Sequence, residues 1–522
     1  MRRSQDSGER SDTAFEAESN ARVWKLALVA CALGIAIQSG YSSLSDPDLP
    51  SHLSLGEWIT THHGVPFSEP FAWTRAGAPF YAYSWLPQVV MFGLLRAVGP
   101  LGLHLMAAAT GAAITISAAA AARALGLRWS GAVLFAVASA MIALESTPFL
   151  RPQLLMHLLV PLAWCSVARW RRVGWTTQRP LIELVALNAI AANVHITFPV
   201  MAVPLVLMLL DDEAIRWSRL ALAIVAVLIG WLASPYALAW LDVFRLNFSA
   251  NALTTPPPLS GEMTPGFLIA PWYGLAVGAL PILALPEIRR DRERLLYGVL
   301  WLAGLLLFAR MFKGLGPWWW CATPLAVAAL SRLPLASTTG ARVAFAGLLS
   351  VFVVSLAIPN VRLYAMLRPH EGDTNVRTLP SVKAFAAEPA ARWLERHMRT
   401  GAPGRALTTF TYGSYLEWRL PSLSESIDGR TIFPDSAALP DAFAEHGVAH
   451  HGPWRSADLA IVPMTYPVTS LLDKDSAWIR VGVAEAAPWA ATAPRAGLWV
   501  RRAWWQHAGK SEVERPLDGV LR

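Results

Sequence analysis

Asp46-Pro47-Asp48-Leu49-Pro50-Ser51-His52-Leu53 stands just beyond the first long apolar run, Val23 to Ile37. Two carboxylates and a histidine fall within seven positions, close to where that run would leave a bilayer. Ionisable groups at that depth are costly and are functional candidates by default. Pro47 forbids helix continuation, so both carboxylates are expected on extended backbone, facing the same general side. The stretch closes at Ser84-Trp85-Leu86-Pro87-Gln88. Everything else reads as a membrane scaffold presenting this loop, with a further domain towards the C-terminus.

Of the 522 residues, 54% are hydrophobic and only 15% charged, with a mean hydropathy of +0.38. Soluble domains carry about 25% charged residues. Many apolar runs approach the roughly 20 residues needed to cross a bilayer, so the chain reads as a polytopic membrane protein. The net charge of +8 is therefore no nucleic-acid signal, because much of it lies in short basic loops between apolar runs. Cys31, Cys165 and Cys321 all lie inside apolar runs, which is the use of cysteine as a small hydrophobe. Residues Met1 to Asn20 are polar and low in aromatics, the composition of a disordered segment. Val23 to Ile37 lacks a following small-residue cleavage site and is expected to stay as a span.

Arg22 and Lys25 precede the first span, about Val23 to Ser39, which puts the N-terminus in the cytoplasm and the Asp46 loop outside. Leu49, Leu53, Leu55, Trp58 and Ile59 are roughly helically spaced, predicting a short amphipathic helix on the membrane surface. Leu86 to Val98 is about 13 residues, short for a span. Were it to cross, Arg123 and Arg128 would fall outside; an interfacial placement keeps them cytoplasmic and is the expectation. Spans then follow at about Leu101 to Ala122 and Gly131 to Glu145, and basic loops at Arg169, Arg171, Arg172 and Arg179, then at Arg289, Arg290, Arg292 and Arg294, alternate with outer loops. A long outer loop holds Pro256-Pro257-Pro258 and Glu262, and a last span runs from about Val343 to Ile358. The expected architecture is mainly α, a bundle of about eleven spans. Beyond Pro359 strand-like segments appear at 406–410 and 459–463, after a helical pattern at 386–398, so a small extracytoplasmic α/β domain is expected. The expected parts are a cytoplasmic N-terminus (1–22), a transmembrane domain (23–358) with its outer loop (40–100), the α/β domain (359–505) and a loose tail (506–522).

Asp46 and Asp48 can act as general base for an acceptor hydroxyl, or hold a divalent cation such as Mg or Mn against a phosphate with His52 as a further ligand. The structural alternative is a polar turn, with Asp48 or Ser51 capping the surface helix. Glu69 sits in a loop stiffened by Pro66 and Pro70. Glu145, Arg151 and Gln153 flank the next outer loop, where an arginine suits bidentate phosphate binding; the alternative is a snorkelling side chain. Asn193 and His195 lie in an apolar stretch, as substrate contacts or as helix–helix hydrogen bonds. Arg310 and Lys313 end a span on the outer side, against the charge trend, which points to an anionic ligand.

Several strings, taken together, resemble a family of bacterial integral membrane proteins related to the GT-C glycosyltransferases, among them the protein-mannosyltransferase-like enzymes. They are Asp46-Pro47-Asp48-Leu49 with His52-Leu53, Gly56 and Ile59; His63-Gly64-Val65-Pro66 with Pro70-Phe71, Thr74, Gly77 and Pro79; Ser84-Trp85-Leu86 with Gln88; Arg151-Pro152-Gln153; Asn193-Val194-His195; Pro235-Tyr236; Gly413-Ser414-Tyr415-Leu416 with Trp418; and Ile427-Asp428-Gly429-Arg430. The resemblance implies a GT-C-like bundle in the bacterial inner membrane and a polyprenyl-phosphate-linked sugar as donor. It implies an acidic catalytic residue in the first outer loop, here Asp46 or Asp48, with Glu145 and Arg151 from the second. A non-catalytic assembly or transport protein on the same scaffold is the alternative, since fold does not fix function.

Overall fold

A computed structural model describes residues 21–40, 46, 48–147, 150–210, 215–251, 266–288, 290–332, 343, 347, 349–350, 387–426, 453–484, 495–510 and 520–521. Residues 1–20, Pro256-Pro257-Pro258, Glu262, Arg289, most of the expected span from Val343 to Ile358, and Asp428-Gly429-Arg430 lie outside the described residues. The chain forms two compact units. One comprises 1–43, 104–238 and 258–366; the other comprises 44–103, 239–257 and 367–522.

The first unit is helical. Helix α1 (Ala21–Gly40) buries Trp24, Ala27, Cys31 and Ile35 and exposes Leu26, Val29, Leu33 and Ile37 on its other face. A helix apolar on both faces suits a bundle surrounded by lipid rather than by water. Helix α4 (Pro100–Ala124) and α5 (Trp129–Ser146; α2 and α3 belong to the other unit) pack with α1 through Ile114, Val133, Val137, Ala140 and Ala143. The close approach needs small residues: a Cβ on Gly111 would lie 2.3 Å from the Ser39 Oγ.

Helices α6 (Met156–Arg172) and α7 (Arg179–Val194) follow. After them the chain departs from regular spans. The descent to Leu210 is a 3-10 stretch (Phe198–Leu205) and a short α8 (Val206–Leu209), because Pro199 and Pro204 remove hydrogen-bond donors from an α-helical ladder. Helix α9 (Ile215–Leu232) packs on α7, where a Cβ on Gly230 would meet the Val185 carbonyl at 2.8 Å. The run before Arg290 is broken into Gly266–Ile269, Pro271–Gly278 and Leu280–Ala284, again with prolines at the breaks. Two regular helices, Asp291–Arg310 and Leu315–Arg332, complete the described part. Among the described residues three helices, α1, α4 and α5, are long and apolar enough to cross a membrane, or four if Trp217–Leu232 and Ala237–Arg245 count as one span.

The second unit joins the loop after α1 to the C-terminal domain. That domain holds a six-stranded mixed sheet in the order β2-β1-β3-β5-β4-β6. Its strands are β1 (Gly404–Thr408), β2 (Leu423–Glu425), β3 (Leu459–Pro463), β4 (Trp478–Ala484), β5 (Ala496–Arg501) and β6 (Val520–Leu521). Strand β1 pairs in parallel with both β2 and β3, with Ala406 opposite Glu425 on one side and Leu459 on the other. Strand β5 runs antiparallel between β3 and β4. Every residue of β3 is buried, as expected for a strand covered on both faces. The helix Glu388–His397 falls within the helical pattern at 386–398, and a second helix, Phe410–Arg419, follows β1, with Gly413 inside it rather than at a turn. Thr409 caps the second of these, its hydroxyl accepting the Tyr412 N–H at 3.3 Å.

Candidate functional site

In the second unit the stretch after α1 forms two helices, α2 (Leu49–His62) and α3 (Trp85–Val98). Helix α2 does not lie as an amphipathic helix with one free face. Leu49, Leu53, Leu55, Gly56 and Ile59 are buried, and it packs against α3 and the Phe410–Arg419 helix. Gly56 is the contact point: a Cβ there would sit 2.2 Å from the Gln88 carbonyl oxygen. Beside it the Gln88 amide donates to the His52 Nδ1 at 3.1 Å. His52 thus joins two helices, and its ring is engaged inside the unit. Gly56→Ala is expected to force α2 and α3 apart at a cost of ~1–3 kcal/mol. A fall in the thermal midpoint of the full-length protein would register it; an unchanged midpoint would show that the helices part freely.

The two carboxylates differ in a way the spacing did not show. Asp46 is fully buried. Its Oδ1 accepts the Asp48 N–H at 3.1 Å, and its carbonyl accepts the Leu49 N–H at 3.2 Å, so it shapes the entry to α2. Asp48 is half-buried, at φ −88° and ψ −12°, with no side-chain capping bond. The extended backbone expected for both residues is therefore absent at Asp48, because the helix begins there, and the two side chains do not share a strand-like face. The capping expected of Asp48 falls instead to Asp46, in the form of an Asx turn. Among the described residues no three His, Cys, Asp or Glu side chains gather as a metal site, so Asp46, Asp48 and His52 do not form a three-ligand set. Glu69 braces its own loop, its Oε1 accepting the N–H groups of Phe71 and Ala72 at 3.0 and 3.1 Å.

In the first unit the loop expected on the outer side is built around the end of α5. Glu145 is exposed there. The Gln153 amide donates to the Thr147 hydroxyl at 2.9 Å, and the His157 Nε2 lies 3.3 Å from the Ser146 Oγ. These two pairs tie the end of α5 to the 3-10 turn Pro152–Leu155, which has the buried Arg151 as N-cap, and to the start of α6. Burying a guanidinium in a membrane unit is costly. The turn Phe312–Gly314, carrying the half-buried Lys313, contacts α5, and Gly316 abuts His157: a Cβ on it would lie 2.6 Å from the His157 Cε1. Arg310 is exposed at the end of its helix. Asn193 donates to the Ala189 carbonyl at 2.8 Å and to the Ala233 carbonyl at 3.4 Å, joining α7 to the turn after α9. His195 accepts the Thr197 N–H at 3.3 Å in a local turn. The structure thus sets Arg151 and Gln153 on one turn beside the end of α5, brings the turn that carries Lys313 into contact with α5, and gives Asn193 and His195 hydrogen bonds within the fold. Ser146, Thr147 and His157 were missed in the sequence. His157 carried the same signal as His195, an ionisable residue inside an apolar run.

With that geometry in place, comparison with solved structures is informative. The chain aligns over 92% of its length with arabinofuranosyltransferase AftD from Mycobacteria, at 18% identity and a TM-score of 0.54. The chain has a GT-C-like fold. It spans about 40% of the length of AftD. ArnT from Cupriavidus metallidurans, solved bound to undecaprenyl phosphate, also aligns, over 91% of this chain and 97% of that one, at 15% identity and a TM-score of 0.45. No protein-family model and no curated protein matches the chain. The likeness read from the Asp46, Arg151 and Gly413 strings thus has a structural counterpart.

Proposed function

We propose that the chain is a membrane glycosyltransferase moving a sugar from a polyprenyl-phosphate donor to an acceptor on the extracytoplasmic face of a bacterial inner membrane, with Asp46 as general base. The observation that carries this reading is a fully buried carboxylate at the head of α2, in the first loop of a GT-C-like fold. Burying a carboxylate is costly unless it is hydrogen-bonded, and Asp46 accepts the Asp48 N–H at 3.1 Å.

In the proposed transfer the acceptor hydroxyl oxygen attacks the anomeric carbon. The bond from that carbon to the phosphate oxygen breaks, and polyprenyl phosphate leaves with the electron pair. Asp46 takes the acceptor proton, which raises the nucleophilicity of the oxygen as the new bond forms. The configuration at the anomeric carbon inverts. Opposite charge stabilises a phosphate leaving group, and within the first unit Arg151, Lys313 and Arg310 are the candidate cations for it. Asp48, half-buried two residues from Asp46, serves acceptor binding rather than proton transfer, and the exposed Glu145 is a candidate of the first unit. Alternation of basic loops supports a cytoplasmic N-terminus and an extracytoplasmic C-terminal domain.

The test is turnover by the full-length protein in lipid nanodiscs, with a panel of polyprenyl-phosphate sugars and a cell-envelope acceptor fraction. AftD is an arabinofuranosyltransferase, so a pentofuranosyl donor heads the panel. Release of polyprenyl phosphate that requires acceptor supports the reading. Failure to consume any donor, while the protein stays folded, favours an assembly or transport role.

A further inference from the structure

The sheet of the C-terminal domain has a switch point. Strand β1 leads through the helix Phe410–Arg419 to β2 on one side, while β3 leads through Val468–Lys474 to β4 on the other. In doubly wound sheets the crevice beyond the C-terminal ends of two such strands is where a ligand binds. Here a segment of the same chain reaches that end. The Trp73 indole N–H donates to the Ala406 carbonyl at 3.2 Å, and the Thr74 hydroxyl donates to the carbonyl of Ser426, the residue following β2, at 2.6 Å. The Trp73 ring packs, together with Met464 and Tyr466 from the loop after β3, on the buried cluster of Leu407, Trp454, Val462 and Trp499.

The grip has a second part. The Phe410–Arg419 helix packs on α2, and its Trp418 meets Phe92 of α3 edge-on, ring centroids 6.3 Å apart. The domain therefore holds the loop at two places: the α2–α3 pair through one helix, and the 73–75 turn through the sheet. Between these points runs the chain from α2 onward, and Asp46 forms the entry to α2.

We infer that the C-terminal α/β domain is a positioning element for Asp46, with Trp73 and Thr74 as the residues that latch the outer loop to the sheet. Resting on the transferase reading, this gives the domain a mechanical role at the place where an open α/β sheet would otherwise take a small ligand. Neither residue touches the reacting groups; both act through α2.

Hydrogen exchange on the full-length protein in detergent tests it, read by mass spectrometry for wild type, for the double variant Trp73→Phe with Thr74→Val, and for Trp73→Ala. The double variant keeps shape and removes both donors. Exchange across residues 49–56 is expected to speed up on the order of tenfold, with β3 and β5 still protected. Loosening confined to residues 69–80, with α2 unchanged, would overturn the inference. Should Trp73→Ala unfold the sheet itself, the double variant decides. In turnover assays the double variant is expected to lower kcat and leave KM for the lipid donor unchanged. Were the wild type to lack transferase activity, the exchange result would still stand or fall alone.

Discussion

Asp46→Asn is expected to lower the rate of sugar transfer by roughly 10²–10⁴-fold, the loss typical of removing a general base. The substitution is close to isosteric, and the asparagine side-chain oxygen can still accept the Asp48 N–H that Asp46 accepts at 3.1 Å. The entry to α2 should therefore survive, and expression and membrane insertion with it. Asp48→Asn is the contrast. Asp48 makes no side-chain cap, and it is only half-buried, so its substitution should cost far less. Were Asp46 simply an Asx-turn residue, both asparagine variants would be nearly silent, since Asn serves such a turn about as well as Asp. Steady-state kinetics on the two single variants and the double variant separate the readings. Full activity in all three removes the catalytic role of the loop.

Arg419→Met should destabilise the C-terminal domain by about 1–3 kcal/mol, because the half-buried Glu395 loses its 2.7 Å partner and the buried Glu388 keeps only Arg392. Arg419 is buried between the Glu388–His397 helix and its own. It donates to the Glu395 Oε2 at 2.7 Å and lies 3.9 Å from the Glu388 Oε2, while Arg392 holds the other Glu388 oxygen at 2.7 Å. The effect should depend on pH. Burial pushes the Glu395 carboxyl up, and Arg419 pulls it back down. Without Arg419 the folded-state value rises further above the unfolded one. Such a group supports the fold while protonated and ceases to as the pH climbs through its folded-state value. The deficit of the variant should therefore be small near pH 4 and grow towards pH 7. Thermal unfolding across that range measures it; a deficit independent of pH would mean that packing of the arginine stem, not its charge, holds the two helices.

The regular helices of the membrane unit were legible in the sequence because their apolar runs are long and uninterrupted. The run from Val23 to Ser39 lies within α1, and Leu101 to Ala122 and Gly131 to Glu145 lie within α4 and α5. The broken ones were not, because hydropathy is blind to what Pro199, Pro204, Pro271 and Pro281 do to a hydrogen-bond ladder. In the C-terminal domain β3 was visible as a continuous apolar run after Asp458, but its antiparallel pairing with β5 depends on contacts across 32 intervening residues and leaves no local pattern. The candidate site was legible as a set of residue types at loop positions. What the sequence could not show was burial. Asp46 and Asp48 look equivalent two positions apart, yet one is enclosed and the other starts a helix. The union of the first loop with the C-terminal sheet was equally hidden, since Trp73 and Ala406 lie 333 residues apart.

The central claim is that a carboxylate at Asp46 drives transfer from a lipid-linked donor. It is tested most directly in a single turnover, with the full-length protein in nanodiscs in excess over a labelled polyprenyl-phosphate sugar and with acceptor present. Wild type should convert the donor into equal amounts of polyprenyl phosphate and glycosylated acceptor of inverted configuration, while Asp46→Asn leaves the donor intact on the same timescale. Equal conversion by the two proteins would contradict the account.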